Sequence, residues 1–205
     1  MNALILVDLQ NDFAEGGALA VPGAKSLIPL VNKIQKMFNL IVATQDWHPA
    51  DHGSFAANHS GRSVGEIIEL GGLPQILWPV HCVQGTSGAD FIPELDRKGW
   101  AAIFQKGTDP EIDSYSGFFD NGKRHATGLG DYLKENRVDH AYVLGLATDH
   151  CVKATAKDAV ELGLKTSLIE DASRGVDLNP GDVKRAVESM RQSGVTISQA
   201  AEILK

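Results

Sequence analysis

Apolar and polar positions follow two rhythms along this chain. Six short, almost continuous apolar runs stand out: ALILVDL (3–9), LIVATQD (40–46), AAIFQK (101–106), AYVLGLAT (141–148), TSLIED (166–171) and VTIS (195–198). Runs this short and this uniform read as strands buried on both faces, as in a parallel sheet. Several of the segments between them repeat at helical spacing. SLIPLVNKIQKMF (26–38) carries apolar residues at 27, 28, 30, 31, 34, 37 and 38. TGLGDYLKENR (127–137), CVKATAKDAVELG (151–163) and DVKRAVESMRQSG (182–194) are amphipathic, the last two closing on a glycine C-cap. Strand alternating with helix predicts an α/β protein. The expected form is a three-layer α/β/α, Rossmann-like arrangement: a six-stranded, mainly parallel sheet with helices on both faces.

From about 47 to 100 the pattern breaks down. Gly, His, Pro, Ser and Trp accumulate there, and only GEIIEL (65–70) reads as a short helix. An ordered loop of this length is usually functional, so it is expected to build a site, specifically a metal-binding region. No repeat, low-complexity tract or Pro- or Ser-rich linker divides the chain, and residues 1–205 are read as one domain.

The net charge of −7, with no run of Lys or Arg, argues against a nucleic-acid partner. No apolar run approaches the roughly 18 to 20 residues of a membrane span. The first residues, MNALILVDLQ, lack a basic stretch and lose their apolar character at Asp8, so no signal peptide is read. Cys82 and Cys151 are the only cysteines. Together these features suggest a cytoplasmic protein with two free thiols. The oligomeric state is left open, a homo-oligomer included.

Candidate chemistry gathers where strands end, which is where open parallel sheets bind ligands. Asp8 closes the first run, Asp46 the second and Lys106 the third, and Thr148 to Cys151 follow the fourth. A single Asp there is ordinarily a cap or turn former. Four polar signals on one edge are harder to dismiss. A free Cys is ordinarily a small buried hydrophobe. At the start of a helix, however, Cys151 meets unpaired N–H groups and a positive dipole end that favour thiolate, and a nearby Lys would add to this. The same N–H groups suit the oxygen of a tetrahedral intermediate. Asp8, with Lys106 beside it, can carry the proton; a His, including His150, is an alternative base. Cys82, in WPVHCVQG with no helix behind it, reads as structural.

In TQDWHPADHGSF (44–55), Asp46 and His48 stand two residues apart and would project to one side of an extended segment. His52, His81 and Asp51 are further candidate ligands. Mixed Asp and His donors suit zinc, iron or manganese. Phe13, Trp47, Trp78 and Tyr115 lie in loops, where large rings either plug the core or line a pocket for a flat ligand.

Five stretches together carry a resemblance: ALILVDLQNDFAEGGALAVPG, TQDWHPADHGSF, LWPVHCVQGTSGADF, FQKGTDPEIDSYSGFFDNG and GLATDHCVKATAKDA. Over nearly its whole length the chain resembles the nicotinamidases (pyrazinamidases) of the isochorismatase-like cysteine hydrolases. The D-W-H and W-P-x-H-C pair is the more specific part, because relatives acting on other substrates generally lack this metal site. The resemblance implies hydrolysis of nicotinamide to nicotinate and ammonia through a cysteine thioester, in NAD salvage, with pyrazinamide as a second substrate. It implies Cys151 as nucleophile, Asp8 as general acid and base, and Lys106 as its partner. The N–H groups of Ala147 and Cys151 would form the oxyanion hole. Asp46, His48 and His81 would hold one divalent ion, zinc first, with iron or manganese as alternatives, and His52 is left outside that set. The ring would lie among Phe13, Trp78 and Tyr115, and a cis peptide is expected between Ala147 and Thr148. The competing reading is another amide or carbamoyl hydrolase of the same superfamily.

Overall fold

The computed structural model describes residues 1–205. In chain order its first elements are β1 (Asn2–Val7), α1 (Ala24–Gln35), β2 (Ile41–Asp46), β3 (Ile67–Leu70), β4 (Leu73–Ile76), β5 (Trp100–Lys106) and α2 (Leu129–Glu135). There follow β6 (His140–Leu146), α3 (Lys153–Glu161), β7 (Lys165–Arg174), α4 (Asp182–Gln192), β8 (Thr196–Ser198) and α5 (Ala200–Ile203). Six strands form one sheet in the order β5-β2-β1-β6-β7-β8, and every neighbouring pair is parallel. The chain builds outward from β1 to β5, then returns to the other side of β1 to lay down β6. That reversal is the switch point at which such sheets bind ligands.

Burial follows position in the sheet. All of β2 is buried and all of β1 after its first residue, whereas β5, at one edge, alternates between half-buried and exposed over its first six residues. Because side chains alternate across a strand, β1 feeds two cores. Leu4 and Leu6 pack with Leu27, Ile28, Val31 and Ile34 of α1 and with Ala200 of α5. Ala3, Ile5 and Val7 pack with Leu129 and Leu133 of α2, Ala156 and Ala159 of α3, and Val187 and Met190 of α4. The three layers are therefore those the hydrophobic pattern predicts. The glycine stops also form as expected. Gly163 donates to Val160 O and Leu164 to Ala159 O, with the same pairing at Gly194 and Val195, which closes α3 and α4 with carbonyls satisfied.

One element differs. GEIIEL is not helical: Ile67–Leu70 is a strand paired antiparallel with Leu73–Ile76. Gly71 and Gly72 have φ of 58° and 79°, the two left-handed residues of a type I′ hairpin turn. The doublet GG between two apolar pairs was the available signal. The four-residue α5, held by a capping box between Gln199 and Glu202, has too few residues to show a period.

Candidate active site

The parallel register brings four strand ends together. Asp46 and Lys106 are partners at the ends of β2 and β5, Asp8 follows β1, and the chain after β6 enters a wide helical turn, Thr148–Val152, that carries Cys151 and runs into α3. All four side chains are at least nine-tenths buried. Lys106 organises them. Its ammonium donates to Asp46 Oδ1, to Ser114 O at 3.0 Å and to Cys151 Sγ at 3.4 Å, which uses its three protons. Asp8 Oδ2 lies 2.9 Å from Lys106 Nζ as an ion pair but off the hydrogen-bonding direction, and has no hydrogen-bonded partner. Asp8 Oδ1 accepts from the Thr44 hydroxyl at 2.6 Å. Asp8 Oδ2 is thus held only by the ion pair with Lys106, and a carboxylate oxygen of Asp8 lies within 4.8 Å of Cys151 Sγ.

Burial decides the electrostatics. It pushes the Asp8 carboxyl up to about 6, against the opposing pull of Lys106, with Asp46 adding to the rise. Burial also opposes charge on Asp46 and Lys106, yet their attraction holds the carboxyl well below and the ammonium well above their ordinary ranges. The thiol of Cys151 departs from expectation. Burial raises it well above the usual cysteine value; Lys106 pulls the other way, and Asp8, Asp46 and Asp113 add to the rise. The helix start and the lysine do not by themselves yield a resting thiolate, because desolvation of a buried anion outweighs both. The cis peptide also differs in place: it joins Leu146 to Ala147, one residue before the bond expected.

Asp46, His48 and His81 form a second group whose donor atoms lie within 4.8 Å of one another. Asp46 Oδ2 is 3.7 Å from His48 Nε2 and 3.9 Å from His81 Nε2, too long for hydrogen bonds and somewhat wider than the ~3.4 Å between ligands of a tetrahedral zinc. The other ring nitrogen of each histidine donates to a backbone carbonyl, His48 Nδ1 to Gly107 O and His81 Nδ1 to Pro79 O, both at 2.8 Å. That fixes both tautomers with the Nε2 lone pairs facing the carboxylate, the arrangement that supports metal-bound imidazoles. Burial and the neighbouring His48 push His81 down to about 4, so it stands neutral. A Cβ at Gly107 would overlap the His48 ring. Charge points the same way: Asp8, Asp46 and Asp113 are buried here against one ammonium, leaving an imbalance that a divalent cation cancels. The residues fit such an ion.

Between the two groups lies a narrow pocket of about 30 Å³, with Phe13, Trp78, Tyr115, Ala147, His81 and Cys151 among its walls. Walls made largely of flat rings suit a flat ligand. Trp78 Nε1 donates to the Tyr115 hydroxyl at 3.2 Å, locking two walls together. Trp47 is not in this pocket; it packs against the core on the α1 face. Asp51 is exposed. His52 is fully buried, with Nδ1 paired to Ser54 Oγ at 2.8 Å and Nε2 unpartnered. His150 lines the pocket with its ring edge-on to Trp78, 5.1 Å between centroids. Cys82 is wholly buried and its N–H donates to Asp12 Oδ2 at 2.7 Å.

Sequence reasoning passed over several residues that shape the site. Gln10 pins the Asp46 backbone from both sides, donating to Asp46 O and accepting from Asp46 N–H, each at 2.8 Å. Asp149 accepts from the N–H groups of Val176 and Asp177, which holds Val176 against the pocket. Asp113 lines the pocket and accepts from Gln75 Nε2 at 3.0 Å. These are isolated polar residues in loops, and only the folded chain shows what they face.

Comparison with known proteins adds the following. The family model described as the isochorismatase domain matches residues 2–202. The chain is 48% identical over 204 residues to a nicotinamidase of Escherichia coli (strain K12), covering 98% of this chain and 95% of that one. Among solved structures, a nicotinamidase/pyrazinamidase of Acinetobacter baumanii superposes with a TM-score of 0.96 at 48% identity, covering 99% of this chain and 98% of that one. A pyrazinamidase of Pyrococcus horikoshii, solved in complex with zinc, superposes with a TM-score of 0.79 at 40% identity, covering 97% and 98%.

Proposed function

The chain belongs to the isochorismatase family, and within it we propose that it hydrolyses nicotinamide to nicotinate and ammonia. The observation that carries this reading is one ring-lined pocket bordered both by Cys151, which Asp8 and Lys106 back, and by the Asp46, His48 and His81 donor set. The first group is built to cleave an amide. The second, with Phe13, Trp78 and Tyr115, is built to hold a flat ring bearing a lone pair.

The steps follow from the geometry. The proton of the Cys151 thiol passes to the nearby Asp8 carboxylate as the sulfur attacks the carboxamide carbon. Lys106, touching both groups, stabilises the sulfur as it becomes anionic. The N–H groups of Ala147 and Cys151 receive the oxyanion. Asp8 then returns the proton to the departing nitrogen, and ammonia leaves behind a thioester. A water molecule, deprotonated by Asp8, attacks the thioester; the C–S bond breaks, the sulfur takes the proton back from Asp8, and nicotinate is released. Asp46, His48 and His81 would hold a divalent ion, zinc in first place. When bound, the ion offers a Lewis-acidic position for the ring nitrogen and so orients the carboxamide toward Cys151. Pyrazinamide, which keeps the carboxamide and a ring nitrogen meta to it, is a second substrate. We place the activity in cytoplasmic salvage of the pyridine ring for NAD synthesis, carried out by residues 1–205 as one domain.

Mass spectrometry of protein quenched during turnover tests the reading: a nicotinoyl adduct on Cys151 is expected. Ammonia released from N-carbamoyl compounds but not from nicotinamide would assign the chain to another branch of the family.

A further inference from the structure

Asp113 has no part in the steps above, yet it is 4% exposed and its carboxylate is in the wall of the reaction pocket. It accepts hydrogen bonds only from neutral donors: Gln75 Nε2 at 3.0 Å on Oδ2 and the Ser114 N–H at 2.7 Å on Oδ1. No Lys or Arg pairs with it, whereas Asp8 and Asp46 both lie against Lys106. A carboxylate oxygen of Asp113 lies within 4.8 Å of ring nitrogens of His48 and His52. A buried carboxylate without a cation is costly to keep, even one whose two oxygens each accept from a neutral donor.

The charge change in the reaction supplies a reason. The substrate amide is neutral. Addition of water breaks the C–N bond, the acid proton goes to ammonia, and once ammonium departs the pocket holds a carboxylate that was not there before. Resting on the reading above, we infer that Asp113 is a specificity-determining residue: its negative charge raises the energy of the bound anionic product while leaving the bound neutral amide nearly unaffected. With a divalent ion present, the three acids and Lys106 balance, so nicotinate is the one uncompensated charge and is expelled. Without Asp113 the pocket would carry a net positive charge and retain its product. Gln75, from the β3–β4 hairpin, and the Ser114 N–H hold the carboxylate in the wall.

Binding to the metal-loaded Cys151→Ala protein tests this without turnover. Dissociation constants for nicotinamide and for nicotinate are measured by calorimetry with and without Asp113→Asn, and metal content is measured on both proteins. Asp113→Asn is expected to tighten nicotinate by about tenfold or more, the effect of one charge across a pocket of effective dielectric about 20, and to change nicotinamide by less than about threefold. Asp113→Glu, which keeps the charge, is expected to keep nicotinate weak. If Asp113→Asn misfolds, Asp113→Ala removes the same charge. Equal shifts for both ligands, an unchanged or weaker affinity for nicotinate, or loss of the ion on substitution overturns the inference. Failure of the wild-type protein to release ammonia from nicotinamide is a separate result and overturns the functional reading instead.

Discussion

Lys106 Nζ stands 3.4 Å from Cys151 Sγ, and burial nonetheless pushes the thiol well above the usual cysteine range. Burial outweighs the attraction of a cation that already shares its charge with two carboxylates. The lysine is therefore better placed to stabilise the sulfur as it ionises than to ionise it beforehand. Cys151→Ala is expected to lower turnover of nicotinamide by about 10³-fold or more while the purified protein keeps its fold and its metal content. Substantial residual hydrolysis would remove the thioester route.

Asp8 sets the acid side of the pH profile. Its carboxyl is raised from 3.8 to about 6, and only the ionised form can take the thiol proton, so activity falls as pH drops through that value. A divalent ion at Asp46 offsets the repulsion Asp46 exerts on Asp8 and moves the limb lower, not higher. The acid limb of kcat/KM is expected at about 6 or below. Thr44→Val removes a hydrogen bond that favours the ionised form, and is expected to shift the limb upward. A limb that stays in place in this variant would take the acid limb away from Asp8.

The sheet and its four long helices were legible because buried strands and amphipathic helices leave different periods, and because parallel connectivity then places Asp8, Asp46, Lys106 and Cys151 on one edge. Asp46, His48 and His81 could be named from spacing and resemblance, though nothing local in the sequence places His81 beside His48. The hairpin at Ile67–Ile76 was misread because four-residue strands with one exposed face mimic a short helical turn. The upward push that burial gives the Cys151 thiol was not legible for a different reason. Helix position is written in the sequence, whereas desolvation depends on how completely the loop from 47 to 99 covers the site.

Gln10 is such a long-range residue. Its amide spans Asp46 N–H, Asp46 O and Ala89 O, three bonds of 2.8 Å between β1, β2 and the loop that carries His81. Gln10→Ala would leave these buried backbone groups without their partner. A loss of roughly 2 to 4 kcal/mol in urea unfolding is expected, together with weaker metal retention because Asp46 is no longer held. An unchanged unfolding midpoint would mean that the sheet holds Asp46 without Gln10.

The ligand set is open to direct titration. An ion bound to the folded chain alone stabilises it by mass action, so removal by a strong chelator is expected to lower the melting temperature as well as abolish turnover, and zinc should restore both. His48→Ala and His81→Ala each remove an Nε2 facing Asp46 and should lose the ion. His52 has its free Nε2 near His48 and Asp113, outside the group formed by Asp46 and His81. His52→Ala is therefore expected to retain one ion per chain by elemental analysis. Loss of the ion in that variant would make His52 a fourth ligand, reached by a turn of its ring away from Ser54.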